Sequence, residues 1–288
     1  MLAYFNGRIL PKEQIAISPD DRGFLFGDGV YETVFSRRGR LFRPDNHFRR
    51  LERSLRETRI PVPDLSALRR DTLKLIDMNH LTEGDALVYI QVTRGAAPRQ
   101  HAFPAASTEP TVYASTTPFE PKHEEMRTGV GILLVPDTRW GRCDIKTVGL
   151  LANVLAQQKA MESGAYEAVF VRGNTIMEGS HTNTAAVRSG ILLIHPEGPR
   201  ILSGVTRQVV LELCRDLEIP CEEKPISVDH FKQATEIILL GTSTLVMPVV
   251  RIDGKAVGDG TPGPVTRRLQ EQFFQLLDKE TEAVNQKR

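Results

Sequence analysis

Apolar positions along the chain repeat with two periods, and the change from one to the other marks out the elements. Short runs come first. Residues 3–5 and 8–11 flank Asn6-Gly7, a dipeptide that suits a two-residue hairpin turn. Residues 30–35 alternate as a strand, and Arg38-Gly39-Arg40 turns the chain into another short strand at Leu41-Phe42. The period then lengthens. Asp45 is expected to cap a helix over residues 45–56, with Phe48, Leu51 and Leu55 on one face. Residues 64–77 repeat the helical pattern through Leu65, Leu68, Leu73 and Ile76, and strands follow at 86–93 and 111–115. Residues 118–127 are polar, carry two prolines and separate two apolar halves. The expected division is a first domain over 1–120, a linker over 121–127 and a second domain over 128–288.

The second half opens with a buried strand at 129–135. A helix is expected over 150–163, with Leu151, Val154, Leu155 and Met161 as its apolar face and Gly164 as its stop. A hairpin around Gly173-Asn174, a strand at 190–194, a helix over 205–217, a strand at 236–240 and an amphipathic helix over 264–277 follow. Strands and helices mix without regular βαβ alternation, so the expected class is α+β rather than a doubly wound sheet. There is no internal repeat and no low-complexity tract.

Composition narrows the function classes. The length of 288 residues suggests about two domains. Lysine plus arginine minus aspartate plus glutamate is 37 − 36, a net charge of +1, which removes the electrostatic case for a nucleic-acid partner. With 40% apolar residues the chain can bury a core. No apolar run approaches the roughly 20 residues of a membrane span, and the opening residues do not resemble a secretory leader. Cys143, Cys214 and Cys221 lack CxxC spacing and read as reduced thiols of a cytoplasmic protein. No GxGxxG, P-loop, HExxH or paired Cys/His motif occurs, so no metal is expected.

Four local features carry the candidate chemistry. In Arg139-Trp-Gly-Arg-Cys-Asp-Ile-Lys146, the lysine follows an apolar strand and the single tryptophan and precedes a helix. A solvated surface lysine is the ordinary reading. Packed among Arg142 and aromatic bulk, however, its amine would be desolvated and near other cations, both of which favour the neutral nucleophile. Glu178, beside Gly179 and small hydroxyl residues, is either part of a plain strand–turn–strand or a buried acceptor for a heterocyclic N–H. Ser203-Gly-Val-Thr206 opens a helix, as capping alone requires, and also offers amides and a hydroxyl to a phosphate. Gly241-Thr-Ser-Thr244 is a second loop of hydroxyl donors. Together these are the parts of a pyridoxal-phosphate site.

The set Phe26-Gly-Asp-Gly-Val-Tyr-Glu32, Asp144-Ile-Lys146, Glu178-Gly-Ser180, Gly204-Val-Thr206 and Thr242-Ser-Thr244 resembles the fold-type IV pyridoxal-phosphate enzymes, in the family's order and along nearly the whole chain. Within that superfamily, Val92-Thr-Arg-Gly-Ala-Ala-Pro-Arg-Gln-His101, with its Arg99-x-His101, looks like the D-amino-acid transaminases. The resemblance implies a small N-terminal α+β domain, a larger β-barrel-like C-terminal domain and pyridoxal 5′-phosphate between them. It implies that Lys146 carries the cofactor aldehyde and then shuttles the proton, and that Glu178 holds the pyridine nitrogen. It implies that Arg50, Val205, Thr206, Thr242 and Ser180 bind the cofactor. Tyr31, Arg99 and His101 would trap the substrate carboxylate. Since the family's Arg and His reach in from a neighbouring subunit, a homodimer is implied too. His181 departs from the small residues usual after Glu178; it would sit by the pyridine ring, by the phosphate, or in solvent. Thr33 and Phe35 would face a side-chain pocket.

The implied reaction is D-alanine plus 2-oxoglutarate to pyruvate plus D-glutamate. The rivals are an L-branched-chain aminotransferase, an R-selective amine transaminase, aminodeoxychorismate lyase and a non-catalytic cofactor binder. Arg99 and His101 speak against the first, and Lys146 with Glu178 against the last.

Overall fold

The computed structural model describes residues 1–282. The chain forms two compact units, each with its own sheet. The first comprises Met1–Glu120, Ile145–Leu150 and the described residues from Glu280. The second comprises Pro121–Asp144 and Leu151–Lys279.

The first unit is built on six antiparallel strands: β1 (Leu2–Phe5), β2 (Arg8–Pro11), β3 (Gly29–Arg37), β4 (Arg40–Leu41), β5 (Asp85–Thr93) and β6 (Thr111–Pro118). Their order is β2-β1-β6-β5-β3-β4. The first turn is the expected one, with Asn6 and Gly7 at φ 44° and 84°. Helix α1 (Arg22–Phe26) precedes β3, and α2 (Pro44–Thr58) and α3 (Leu65–Met78) follow β4. Strand alternation sends Val30, Val34, Val88, Ile90 and Val92 into a core with Phe48, Leu51 and Leu55 of α2 and Leu68, Leu75 and Ile76 of α3. The opposite pleat presents Tyr31, Thr33, Tyr89 and Gln91, all half-buried.

Two helix expectations are corrected. Asp45 is not the cap of α2. That position is Arg43, at φ 49° and without a side-chain cap, because Pro44 already fixes the first helical φ. Asp45 instead lies in the first turn and pairs with Arg69 at 2.5 Å. In α3, capped by Asp64 through the Ala67 amide, Leu73 is 40% exposed, and Thr72 and Leu75 take the inward positions.

The second unit begins with α4 (His123–Thr128), a short helix inside the segment read as linker. Then come β7 (Val130–Pro136), α5 (Leu151–Glu162), β8 (Glu167–Arg172), β9 (Thr175–Gly179), β10 (Asn183–Arg188), β11 (Ile191–Ile194), α6 (Val205–Asp216), β12 (Cys221–Glu223), β13 (Ile226–Ser227), α7 (Val228–Lys232), β14 (Glu236–Gly241), β15 (Leu245–Ile252), β16 (Lys255–Ala256) and α8 (Pro264–Glu282). The sheet has ten strands in the order β12-β11-β10-β14-β15-β7-β8-β9-β13, with β16 on β15, and it curls into a half-barrel. Parallel pairs β7–β8, β7–β15 and β11–β12 sit among antiparallel ones, so the class is α+β as expected.

Helix α5 overturns its expected orientation. Its inward residues are the small Ala156 and Ala160, against Val135, Phe170 and Met177. Leu151, Val154, Leu155 and Met161 are 72%, 60%, 62% and 63% exposed. The close approach of helix to sheet calls for alanine, which leaves the larger apolar stripe facing out. Among the described residues, no helix is long and apolar enough to cross a membrane.

Candidate active site

Lys146 belongs to the first unit. Ile145 anchors its segment in that core, and β3 holds the backbone: Tyr31 N–H donates to the Lys146 carbonyl at 2.9 Å. The Lys146 N–H donates to Ser54 Oγ of α2 at 3.3 Å. Its Nζ lies 4.3 Å from the centre of the Tyr31 ring, which in turn leans on Tyr89 at 5.6 Å. The aromatic over the amine is therefore Tyr31. Trp140 is 49% exposed, and Arg142 is engaged with Asp144 at 2.9 Å.

Beneath β3 lies a charged knot that sequence reading missed. Glu32 is 1% exposed. Its two oxygens accept from Arg50 Nε and Nη2 at 2.6 and 2.8 Å, and His47 Nδ1 lies 2.9 Å from Oε2. Burial pushes the Glu32 carboxyl up, but the Arg50 charge and hydrogen bonds win and hold it at about 2. Burial pushes the His47 imidazole down, only partly offset by Glu32. Arg50 thus stands in the first unit with Lys146, as a guanidinium already sharing its charge with a carboxylate. Its signal was there: i, i+3 spacing places His47 and Arg50 on one face of α2. Phe35, on the same strand as Tyr31, is buried edge-on to Phe119 at 5.7 Å.

Arg99 and His101 lie on an exposed loop packed over Phe26, at 5.1 and 5.5 Å between centres. The loop is moored by an Arg–Asp–Arg cluster. Asp28 accepts from Arg22 Nε and Arg94 Nε, both at 2.8 Å, while Arg22 Nη1 also donates to the Gln100 carbonyl at 2.7 Å. Arg94 donates onward to the Arg59 and Thr58 carbonyls at the C-terminal end of α2 and covers Phe103 at 3.8 Å. Burial raises Asp28, but Arg94 and Arg22 hold it below the usual carboxylate range. Within one chain Tyr31 is brought to Lys146, while Arg99 and His101 make no hydrogen bond or ring contact with Tyr31 among the described residues.

In the second unit Glu178 ends β9, buried. Arg139 Nη1 donates to its Oε1 at 2.5 Å; Asn183 Nδ2 and the Leu202 N–H donate to Oε2 at 2.9 and 3.1 Å. Arg139 is itself held by Asp137 at 3.0 Å, and Asp137 by Arg172 at 3.0 Å. The relay Arg172–Asp137–Arg139 therefore fixes the carboxylate. Chain spacing gave no sign of it.

The turn after Glu178 is tied by Glu167 of β8, which is fully buried. Its Oε1 accepts from the His181 N–H at 2.8 Å, and both oxygens face the Thr182 hydroxyl at 3.1 and 3.0 Å. The Ser180 hydroxyl donates to Gln157 at 2.8 Å and to Glu167 at 3.2 Å. A Cβ on Gly179 would fall 2.3 Å from Glu167 Oε1, so only glycine fits there. Burial raises Glu167 above the usual range. The His181 side chain is 43% exposed, with Nδ1 3.2 Å from Glu167.

Helix α6 begins at Gly204 with no side-chain cap, so the first-turn amides of Val205 and Thr206 receive no side-chain acceptor there. Asn183 fixes this helix start to Glu178: it donates to the Leu202 carbonyl at 2.9 Å, and a Cβ on Gly204 would sit 2.0 Å from its Oδ1. Thr242 stands half-buried in the β14–β15 turn.

The family model for class IV amino-transferases matches residues 29–252, a span that contains the site residues from Tyr31 to Thr242, while Arg22, Phe26 and Asp28 of the loop mooring precede it. The chain is 40% identical over 279 residues to the D-alanine aminotransferase of Staphylococcus aureus (strain COL), which covers 96% of this chain and 97% of that one. It is 39% identical over 282 residues to the D-alanine aminotransferase of Bacillus licheniformis, covering 98% and 99%. Among solved structures, the branched-chain amino acid aminotransferase of Escherichia coli superposes with a TM-score of 0.90 at 25% identity, over 99% and 97% of the two chains.

Proposed function

Because the chain belongs to the class IV aminotransferases, we propose that it transfers the amino group of D-alanine to 2-oxoglutarate, giving pyruvate and D-glutamate by a ping-pong route through pyridoxal 5′-phosphate. The observation that carries the reading is 40% identity to a D-alanine aminotransferase over nearly all of both chains. Likeness to a branched-chain enzyme is one of fold, at 25% identity. Arg99-x-His101 supports the D-amino-acid assignment over it.

The donor chemistry fits the cofactor. An uncapped helix start with the Thr206 hydroxyl, and Thr242 on a turn, suit a phosphate. A buried carboxylate braced by Arg139 suits a protonated ring nitrogen. When bound, the cofactor supplies an electron sink for the bonds at the substrate α-carbon. Lys146 would be its point of attachment, and then the base that takes the α-proton and returns it. Tyr31 limits where that amine can point. Glu178 would keep the ring nitrogen protonated. Arg50 would meet the phosphate with a charge tempered by Glu32, beside Val205, Thr206 and Thr242. The Ser180 hydroxyl, already engaged by Gln157, would act by shaping the turn.

The substrate carboxylate would be gripped by the Tyr31 hydroxyl together with Arg99 and His101 of a second copy. The outward stripe of α5 supports such a copy, since an exposed apolar patch of this kind is a pairing surface. Three free cysteines suit a reducing compartment, the cytoplasm.

The test is a panel of D- and L-amino acids against 2-oxoglutarate, with the configuration of the glutamate determined. D-alanine as substrate and D-glutamate as product are expected. Turnover of L-leucine with L-glutamate formed would overturn the reading in favour of the branched-chain one.

A further inference from the structure

Two thiols of the second unit face one another. Cys214 lies in the last turn of α6, on the helix face that carries Arg207 seven residues earlier. Cys221 opens β12, and Glu223 shares its side of the strand. Arg207 Nη2 donates to Glu223 Oε2 at 2.5 Å, so these two faces are opposed. At the end of this seam Cys214 and Cys221 are neighbours, both as free thiols. The backbone turn between them is closed: the Ile219 N–H donates to the Cys214 carbonyl at 2.8 Å, the Glu218 N–H donates to the Arg215 carbonyl at 3.2 Å, and Glu218 takes φ 53°. Cys221 is then fixed in register beside Leu192 of β11.

The two sulfurs are not equivalent. Cys214 is 1% exposed, and the neighbouring Cys221, with burial, pushes its thiol up. Cys221 is half-buried; the neighbouring Cys214 pulls it down, helped by the Arg207 charge and opposed by burial and by Glu223 and Glu222. Arg207 is 1% exposed, and its Nε has no hydrogen-bond partner among the described residues. Its charge is shared with Glu197 at 3.2 Å and Glu223 at 2.5 Å, so what separates the two thiols is access: Cys221 reaches solvent and Cys214 does not. One thiol is thus suited to attack and the other to follow.

We propose that Cys221 and Cys214 form a reversible intrachain disulfide in response to hydroperoxides. The Cys221 thiolate attacks one peroxide oxygen; the O–O bond breaks, the departing oxygen takes a proton, and Cys221 becomes a sulfenic acid. Cys214 then attacks that sulfur, the S–S bond forms, the S–O bond breaks, and with the Cys214 proton the oxygen leaves as water. Two electrons pass from the sulfurs to the peroxide, and a dithiol reductant reverses the step. The bond joins the end of α6 to the edge strand of the sheet. Cys143 is a built-in control, its thiol pushed up to about 11 by burial.

The folded holoenzyme is exposed to hydrogen peroxide, blocked with N-ethylmaleimide and digested with trypsin. The expected product links residues 208–215 to 216–232, lighter than the two free peptides by two hydrogens, with Cys143 still blocked by maleimide. In Cys214→Ser, dimedone should trap Cys221 as the sulfenic acid and no link should form. The proposal falls if the link forms only in denaturant, if wild-type Cys221 accumulates as sulfenic acid without linking, or if both thiols stay unoxidised.

Discussion

Arg139 and Glu178 meet at 2.5 Å with both side chains 6% exposed, a buried ion pair between residues 39 positions apart. Removing one partner of such a pair leaves the other charged and unpaired, at a cost of about 3–5 kcal/mol. Arg139→Met should therefore lower the unfolding free energy by that order and weaken retention of pyridoxal phosphate. Denaturant titration and cofactor release by equilibrium dialysis measure the two effects. Unchanged cofactor affinity would remove Arg139 from the binding of the ring.

The Glu32 knot predicts how the chain responds to acid. Glu32 titrates at about 2 when folded, against an ordinary value of 4.5. A carboxyl lowered by folding stabilises fully above its unfolded value and loses that contribution as the pH falls from about 4.5 toward 2, here worth about 3 kcal/mol. His47, whose imidazole burial pushes down, adds in the same direction, because the unfolded chain takes up that proton more readily in acid. Glu32→Gln should be less stable at neutral pH and show a flatter loss between pH 4.5 and 2. Urea unfolding across that range reads the slope, and parallel slopes for both proteins would contradict the assignment.

How far the sequence was legible depended on the range of the interaction. The hairpin at Asn6-Gly7, β3, β5, the core face of α2 and the presence of helices α3 and α6 follow from local periodicity, because the same burial that shapes each element leaves its pattern in the chain. Lys146 and Glu178 stood out through neighbouring residues. Arg139 lay in a motif already singled out, but its partner Glu178 is set by the pairing of β8 with β9, which no spacing reveals. Helix α5 misled for a physical reason: periodicity shows that a helix has an apolar face, not which surface covers it.

That exposed face yields a prediction. Leu155, at 62% exposure, sits in the middle of the stripe. Leu155→Glu should leave the fold intact by circular dichroism while shifting the protein to a monomer on gel filtration. Transaminase activity should fall with it, since Arg99 and His101 are proposed to serve the other copy. A dimer of full activity would place the interface elsewhere.

Arg99 itself lies over Phe26 on an exposed loop, so its loss should cost little stability. If it grips the substrate carboxylate, Arg99→Ala should weaken that interaction by about 2–5 kcal/mol, seen as a sharply raised KM for D-alanine. Steady-state kinetics decide, and an unchanged KM excludes the role.

The amine of Lys146, 4.3 Å from the centre of the Tyr31 ring, is proposed as the point where the cofactor attaches. Borohydride reduction of the holoenzyme followed by peptide mapping tests it most directly. A single phosphopyridoxyl label on Lys146, absent in Lys146→Ala, is expected; a label on another lysine, or none, would overturn the attachment.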